Sequence, residues 1–369
     1  MSTIHVGGYG SAACVGKGTG TITASPIALQ DIAYIQPMGL MAGGHVTPID
    51  HGYFYVKGAV ASPPVENPVF SPMAGNISVV TRSVRGAGSS AYDDYGVTIE
   101  ATCTFRVRFS NLVRFAGALG SLIGRLQGNE TMNPNYAVKA GELIGYTGSP
   151  TDRGIDVWVE NDDLTLTGFI NPAQYTASEY WKTHVADLFE YTAEPLKDQL
   201  LALVERDALP RWGKIGYDID GRLVGNWFLV GSHGYTGLHP QNDGYWAGHL
   251  AVVYDGNDPA QVEISVGNYQ GAARQFAAFG STPDPATVGE STGLVKYQLG
   301  ELQSYSAVTG MAWDTTTYLP HMRVRAAGVV IGTVLMQLVD TRILEMEIFP
   351  GRTAGQVTGF DSGALMYER

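Results

Sequence analysis

Short β-type runs, bounded by Gly, Pro and Asp-Gly turns, recur almost without interruption from Ile27 to the C terminus. Runs of this length, at close spacing, cannot build a helical bundle. They predict antiparallel strands joined by tight turns. In the first half they include Gly75–Thr81, Tyr95–Glu100, Thr104–Phe109 and Gly154–Glu160. In the second half they include Arg222–Val230, His249–Tyr254, Val262–Val266, Arg323–Ile331 and Arg342–Phe349. Segments 83–94 and 127–136 read as loops. Apolar residues fall at helical spacing in 111–126, and again in Pro195–Arg206, where Leu196, Leu200, Leu203 and Val204 form one stripe. The expected fold is therefore all-β and mostly antiparallel, with one or two short helices. The expected organisation is a tail or edge strand over 1–24, a β-domain over 25–176, a helical linker over 177–211 and a β-barrel or sandwich over 212–369.

Composition narrows the function classes. Only 16% of the residues are charged, against roughly 25% in average soluble chains. The net charge of −12 leaves no basic footprint for nucleic acid. No apolar run approaches the roughly 18 residues of a membrane-spanning helix. Residues 1–20 lack the basic and apolar regions of a signal peptide. Low charge with 47 Gly and 20 Tyr is an extracellular style of composition, so the expectation is a mature secreted chain. Cys14 and Cys103 lack metal or redox spacing and read either as one disulfide or as two buried thiols.

Four motifs in 45–160 follow one another in a recognisable order. They are Asp50-His51-Gly52-Tyr53, Pro68 to Gly75 (PVFSPMAG), Tyr95-Gly96-Val97-Thr98-Ile99 and Val138 to Gly145 (VKAGELIG). Together they resemble the lysostaphin-type zinc endopeptidases, and the last is shared with biotinyl/lipoyl-like hybrid-motif folds. The resemblance implies a peptidase-like β-fold over this segment. It also implies a zinc site of two His and one Asp, with further His residues for proton transfer. His51 matches the first zinc ligand. The implied Asp ligand falls on Tyr55, the catalytic His on Asn111, and the final His-x-His near Ile155 and Val157. No His lies between His51 and His184. The expectation is a degenerate fold that is not an active peptidase of this family.

Two clusters could still carry chemistry. His45, Asp50 and His51 put two imidazoles and a carboxylate within seven residues. They are the candidate catalytic and metal-binding residues, for at most one zinc ion. The alternative is a hydrogen-bonded turn with Asp50 capping backbone amides. The second cluster is His239, Tyr245, Trp246 and His249, a candidate ligand-binding loop, since aromatic faces pack on apolar ligand faces. Ser232 and His233 are adjacent in sequence, which by itself makes no nucleophile–base pair. Gly221–Phe228 resembles the opening Gly-x-Trp strand of lipocalin-like barrels.

Three functional expectations follow. The first is a secreted, non-peptidase binding module for a glycan, peptide or small molecule. The second is a hydrolase rebuilt around His45, Asp50 and His51. The third is a structural or particle-associated protein.

Overall fold

The computed structural model describes residues 14–58, 65–88, 91–151, 153–237 and 244–369. Its first part contains β1 (Ile32–Gln36), β2 (Gly52–Val56), β3 (Asn67–Phe70), β4 (Gly75–Arg85) and β5 (Tyr92–Glu100). It continues with β6 (Phe105–Phe115), α1 (Gly117–Ile123), β7 (Thr131–Met132), β8 (Tyr136–Val138), β9 (Leu143–Thr147), β10 (Gly154–Asn161), α2 (Ala173–Thr176) and α3 (Leu196–Leu201). The second part contains β11 (Gly225–Leu229), β12 (His249–Tyr254), β13 (Val262–Tyr269), β14 (Ala272–Phe279) and β15 (Val295–Gly300). It ends with β16 (Leu302–Ser306), β17 (Met322–Ala326), β18 (Gly332–Asp340), β19 (Ile343–Pro350) and β20 (Leu365–Glu368). The protein is mostly β, and its strand ladders are antiparallel.

The first ten strands form one sheet in the order β1-β2-β10-β6-β5-β4-β7, with β9 joining β3 to β6 and β8 flanking β4. Period-two alternation sends Phe54, Val107, Phe109, Ile155, Val157 and Val159 into one hydrophobic core. Segment 177–211 adds Val185, Leu188, Phe189, Leu200 and Val204 to that core. Gly141 takes φ +78° in the turn between β8 and β9, a conformation that L side chains rarely adopt.

The second part is a closed eight-stranded barrel, β11-β12-β13-β14-β15-β18-β19-β20, with β16 and β17 paired beside it. Eight strands enclose a space that side chains can just fill. Trp227, Val252, Ile264, Phe276, Tyr297, Met336 and Leu344 help to fill it. The barrel interior is thus a core packed with side chains. The Arg369 guanidinium lies 3.9 Å from the Trp227 ring centroid and donates to the Val224, Ile219 and Arg222 carbonyls.

Several sequence expectations are corrected. The helix over 111–126 begins only at Gly117. Asn111–Phe115 instead complete β6, where Leu112 pairs with Tyr95 and Thr147. Sheet pairing outweighs the helical spacing there, because Leu112 and Phe115 gain burial as strand residues. The helix over 195–206 stops at Leu201, and Val204 then bridges to Ile35 of the edge strand β1. Both ends of the loop over 83–94 are strand, since β4 and β5 extend into it and are tied by Arg82–Asp93 and Arg85–Asp94 ion pairs. Cys14 and Cys103 form a disulfide.

Candidate functional site

The sheet face opposite the first core carries the polar and aromatic residues. Along β10, Asp156, Trp158 and Glu160 alternate with the buried Ile155, Val157 and Val159. Along β6, Arg108 and Ser110 alternate with Val107 and Phe109; along β2, Tyr53 and Tyr55 alternate with Phe54. Register aligns these residues in rows. Asp156 lies between Tyr53 and Ser110, and Trp158 lies beside Arg108.

Two segments fold over this face. The loop before β2 contributes Asp50 and His51, and the helical turn Tyr180–Thr183 contributes Trp181 and Lys182. Asp50 is the hub. Its Oδ1 accepts from His51 Nδ1 at 2.8 Å and from Trp158 Nε1 at 3.0 Å. Its Oδ2 accepts from Trp181 Nε1 at 2.9 Å and lies 3.8 Å from Lys182 Nζ. Burial disfavours the Asp50 charge. Lys182, followed by the hydrogen bonds from His51 and Trp158, outweighs it and holds the carboxyl far below the usual range. Burial likewise opposes the Lys182 charge, but Asp50 and Glu179 raise the ammonium above its usual value. Lys182 Nζ also reaches Glu179 Oε2 at 3.4 Å and the Tyr235 hydroxyl at 3.3 Å. The Arg108 guanidinium sits 5.1 Å from the Trp158 ring and 4.6 Å from the Trp181 ring.

The three candidate metal ligands do meet in space. The His45 and His51 rings are 6.1 Å apart, and His51 hydrogen-bonds Asp50. However, both Asp50 oxygens face N–H donors and a cation, which is the environment of a salt-bridged anchor rather than a ligand. Among the described residues, no group of three His, Cys, Asp or Glu is arranged to hold a metal ion. The residues present do not fit the zinc site. His45 reaches the surface. The desolvating crowd around its ring, and then the neighbouring His51 and Lys182, push its imidazole down to about 4.

Two of the positions singled out by the resemblance, His51 and Asn111, come together around Asp156. Asn111, at φ +66°, donates Nδ2 to Asp156 Oδ1 at 2.9 Å, and Asp156 Oδ2 lies 3.9 Å from His51 Nε2. Ile155 and Val157 point into the core, while Asp156 and Trp158 face the site. Strict alternation in Gly154–Asn161 carried that signal, which motif alignment alone missed. Lys182, Trp181 and Tyr235 had no sequence signal, because they reach the site only through the return of 177–237 over the sheet.

The second candidate cluster lies against the first. Trp246 packs on Gly44, beside His45, and Tyr245 lies 5.9 Å from Tyr235, ring to ring. His249 is buried at the start of β12, where its Nε2 donates to the Tyr235 carbonyl at 3.0 Å. Burial pushes that imidazole down to about 3, so it is a neutral structural group and not a surface ligand contact. His239 lies outside the described residues. Ser232 Oγ is buried with no hydrogen-bond partner among the described residues, so none of these acts on it as a base.

From His51 a strip of rings crosses the sheet. Trp158 and His51 centroids are 4.0 Å apart, His51 and Tyr53 5.0 Å, and Tyr53 and Tyr55 5.6 Å in a stacked arrangement. Tyr34 continues it at 4.6 Å from Tyr55, and Trp313 ends it at 5.1 Å from Tyr34. The strip ends in a cleft of about 300 Å³ between the sheet and the barrel, lined by Tyr34, Tyr55, Trp313, Arg153, Asp255 and Glu263 among others. No protein-family model matches the chain, and neither a curated protein nor a solved structure matches it.

Proposed function

We propose that the protein is a secreted binding module that holds an extended glycan along the ring strip from Trp158 to Trp313. The continuity of that strip carries the reading. Trp158, Tyr53, Tyr55 and Trp313 are part-exposed along it and offer apolar surface on which sugar faces can pack, while the buried His51 and Tyr34 back them, with carboxylates and a guanidinium alongside for hydroxyl groups. The clustering of His51, Asn111 and Asp156 supports descent from a lysostaphin-type fold whose metal site has become a hydrogen-bonded anchor. The Cys14–Cys103 disulfide supports an oxidising compartment.

A hydrolytic reading around His45, Asp50 and His51 has one observation in its favour. His51 gives its Nδ1 proton to Asp50 in the manner of an oriented general base. Its Nε2 faces the Asp156 carboxylate, however, which favours an anchoring role.

The test is calorimetric titration with peptidoglycan-derived glycan strands, chitohexaose, cellohexaose and a cross-bridge peptide. The expected result is saturable binding of at least one glycan, weakened tenfold or more by Tyr53→Ala without a change in far-UV circular dichroism. Binding of the peptide alone would move the reading to a peptide module. Failure of every glycan, or zinc-dependent release of cross-bridge peptides, would overturn it.

A further inference from the structure

Two polar bridges tie together the walls of the cleft in which the ring strip ends. On the barrel side, the Gln36 amide at the end of β1 and the Asn257 amide after β12 hydrogen-bond each other, at 2.8 and 3.0 Å. Next to them the barrel turn packs on the chain that follows β1. A Cβ built on Gly256 would stand 2.8 Å from the Gly39 carbonyl carbon and from the Leu40 nitrogen. On the other side, the segment between β16 and β17 lays the Thr315 carbonyl over the end of the strip. It accepts there from the Tyr34 hydroxyl at 3.1 Å and from Arg153 Nη1 at 2.8 Å. Past this second bridge, toward Val56 and Gly58, lies a space of about 30 Å³, enough for water and too small for a sugar ring.

The cleft therefore accepts a chain from the strip but offers it no continuation. Its volume, about 300 Å³, stands at the small end of the roughly 300–1,000 Å³ range of small-molecule pockets. It also holds hydrogen-bonding groups of both senses. In the Gln36–Asn257 pair each amide uses one N–H and one oxygen lone pair and keeps a second of each. Arg153 adds a fork of N–H donors, of which Nη1 serves Thr315. Asp255 and Glu263 hydrogen-bond each other on the barrel wall, and those carboxyls are already engaged.

A sugar inside a polymer carries a neighbour on each side, so it can lie on the strip but cannot fill a space closed at its far end. A terminal sugar carries one neighbour and has a free hydroxyl in place of the other glycosidic bond. A hydroxyl both donates and accepts, which the amide pair and the guanidinium can meet. Resting on the glycan reading of the strip, we infer that the site recognises the end of a glycan chain. The terminal sugar enters the cleft against Tyr55 and Trp313, its hydroxyls meet the Gln36–Asn257 pair and Arg153, and the sugars before it lie back over Tyr53 toward Trp158.

The experiment titrates the full chain calorimetrically with three polymers: peptidoglycan glycan strands, glycol chitin and hydroxyethyl cellulose. Each is used intact and after limited enzymatic hydrolysis. For a glycan that binds, the number of binding sites per gram should rise in proportion to the chain ends that hydrolysis creates. Ser304→Phe, which fills the cleft from β16 and leaves the strip rings in place, should weaken binding of the hydrolysed glycan at least tenfold. Sites per gram that stay constant on hydrolysis would overturn the inference and leave the glycan reading standing. No binding of any glycan, intact or cut, would overturn both. Undiminished affinity in folded Ser304→Phe would also overturn the inference; if that variant does not fold, the length comparison on the wild type decides.

Discussion

The indole of Trp246 lies so close to Gly44 that a Cβ built on the glycine would stand 2.8 Å from its Cε2 and 2.9 Å from its Cδ2. This contact joins the loop that carries His45 to the turn that enters the barrel at β12. It brings together two candidate clusters some two hundred residues apart, at roughly the closest approach van der Waals contact allows.

Gly44→Ala should therefore displace the Trp246 ring. Overpacking of this kind costs about 1–3 kcal/mol. Tryptophan emission should shift and the urea midpoint should fall. A variant with wild-type stability and unchanged emission would mean that the two loops are not coupled through this contact.

Asp50→Ala removes the acceptor for His51, Trp158 and Trp181 and leaves Lys182 buried without its main counter-charge. Breaking one side of a buried pair costs about 3–5 kcal/mol. Adding Lys182→Met should recover a large part of that loss, because the uncompensated cation is then gone. Equilibrium unfolding of the single and double variants checks this. Equal stability of the two would show that the charge is not the source of the cost.

His249 supplies a pH dependence whose sign is fixed by its burial. Its folded value, pushed down to about 3, lies below the ordinary histidine value of about 6.5. Between these values the unfolded chain binds more protons than the folded one, so stability rises with pH through that window. Asp50 acts in the same direction at the acid end, since its folded carboxyl is depressed and its contribution disappears as pH falls. His249→Phe should flatten the slope between pH 4 and 6.5 in particular. An unchanged slope would mean that His249 is not held neutral in the fold.

Reduction of the Cys14–Cys103 bond should destabilise the first sheet. The cysteines are 89 residues apart in sequence, and a cross-link over so long a loop typically contributes about 2–4 kcal/mol. The bond also holds residues 16–18 against Thr102–Thr104, where Gly18 and Thr104 exchange hydrogen bonds. Thermal unfolding with and without reductant, compared with Cys14→Ser/Cys103→Ser, measures the effect. Identical melting temperatures would show that the bond adds nothing to stability.

The all-β class and most strands were legible before any coordinates, because alternation in runs such as Gly154–Glu160 reports directly which residues face a core. Where two periodicities competed, as in 111–126, local spacing favoured a helix. The structure made the segment strand as far as Phe115, because only the ladder to β5 and β9 buries Leu112 and Phe115. The cluster of His45, Asp50 and His51 was visible as ligand-type residues close together.

Its meaning was decided elsewhere in the chain. Trp158, Trp181 and Lys182 saturate and charge-balance Asp50, and they arrive from positions 108 to 132 residues downstream. The cleft with Glu263 exists only because β13 of the barrel closes against β1 and β2 of the sheet. The sequence by itself determined the strand pattern and the low charge, since these depend on residue identity and short spacing. Tertiary structure alone decided that the His cluster is an anchored ion pair, that the aromatic rings form one strip, and that Glu263 is buried against Asp255. Those properties depend on which distant side chains share a low-dielectric site, and no local pattern encodes that proximity.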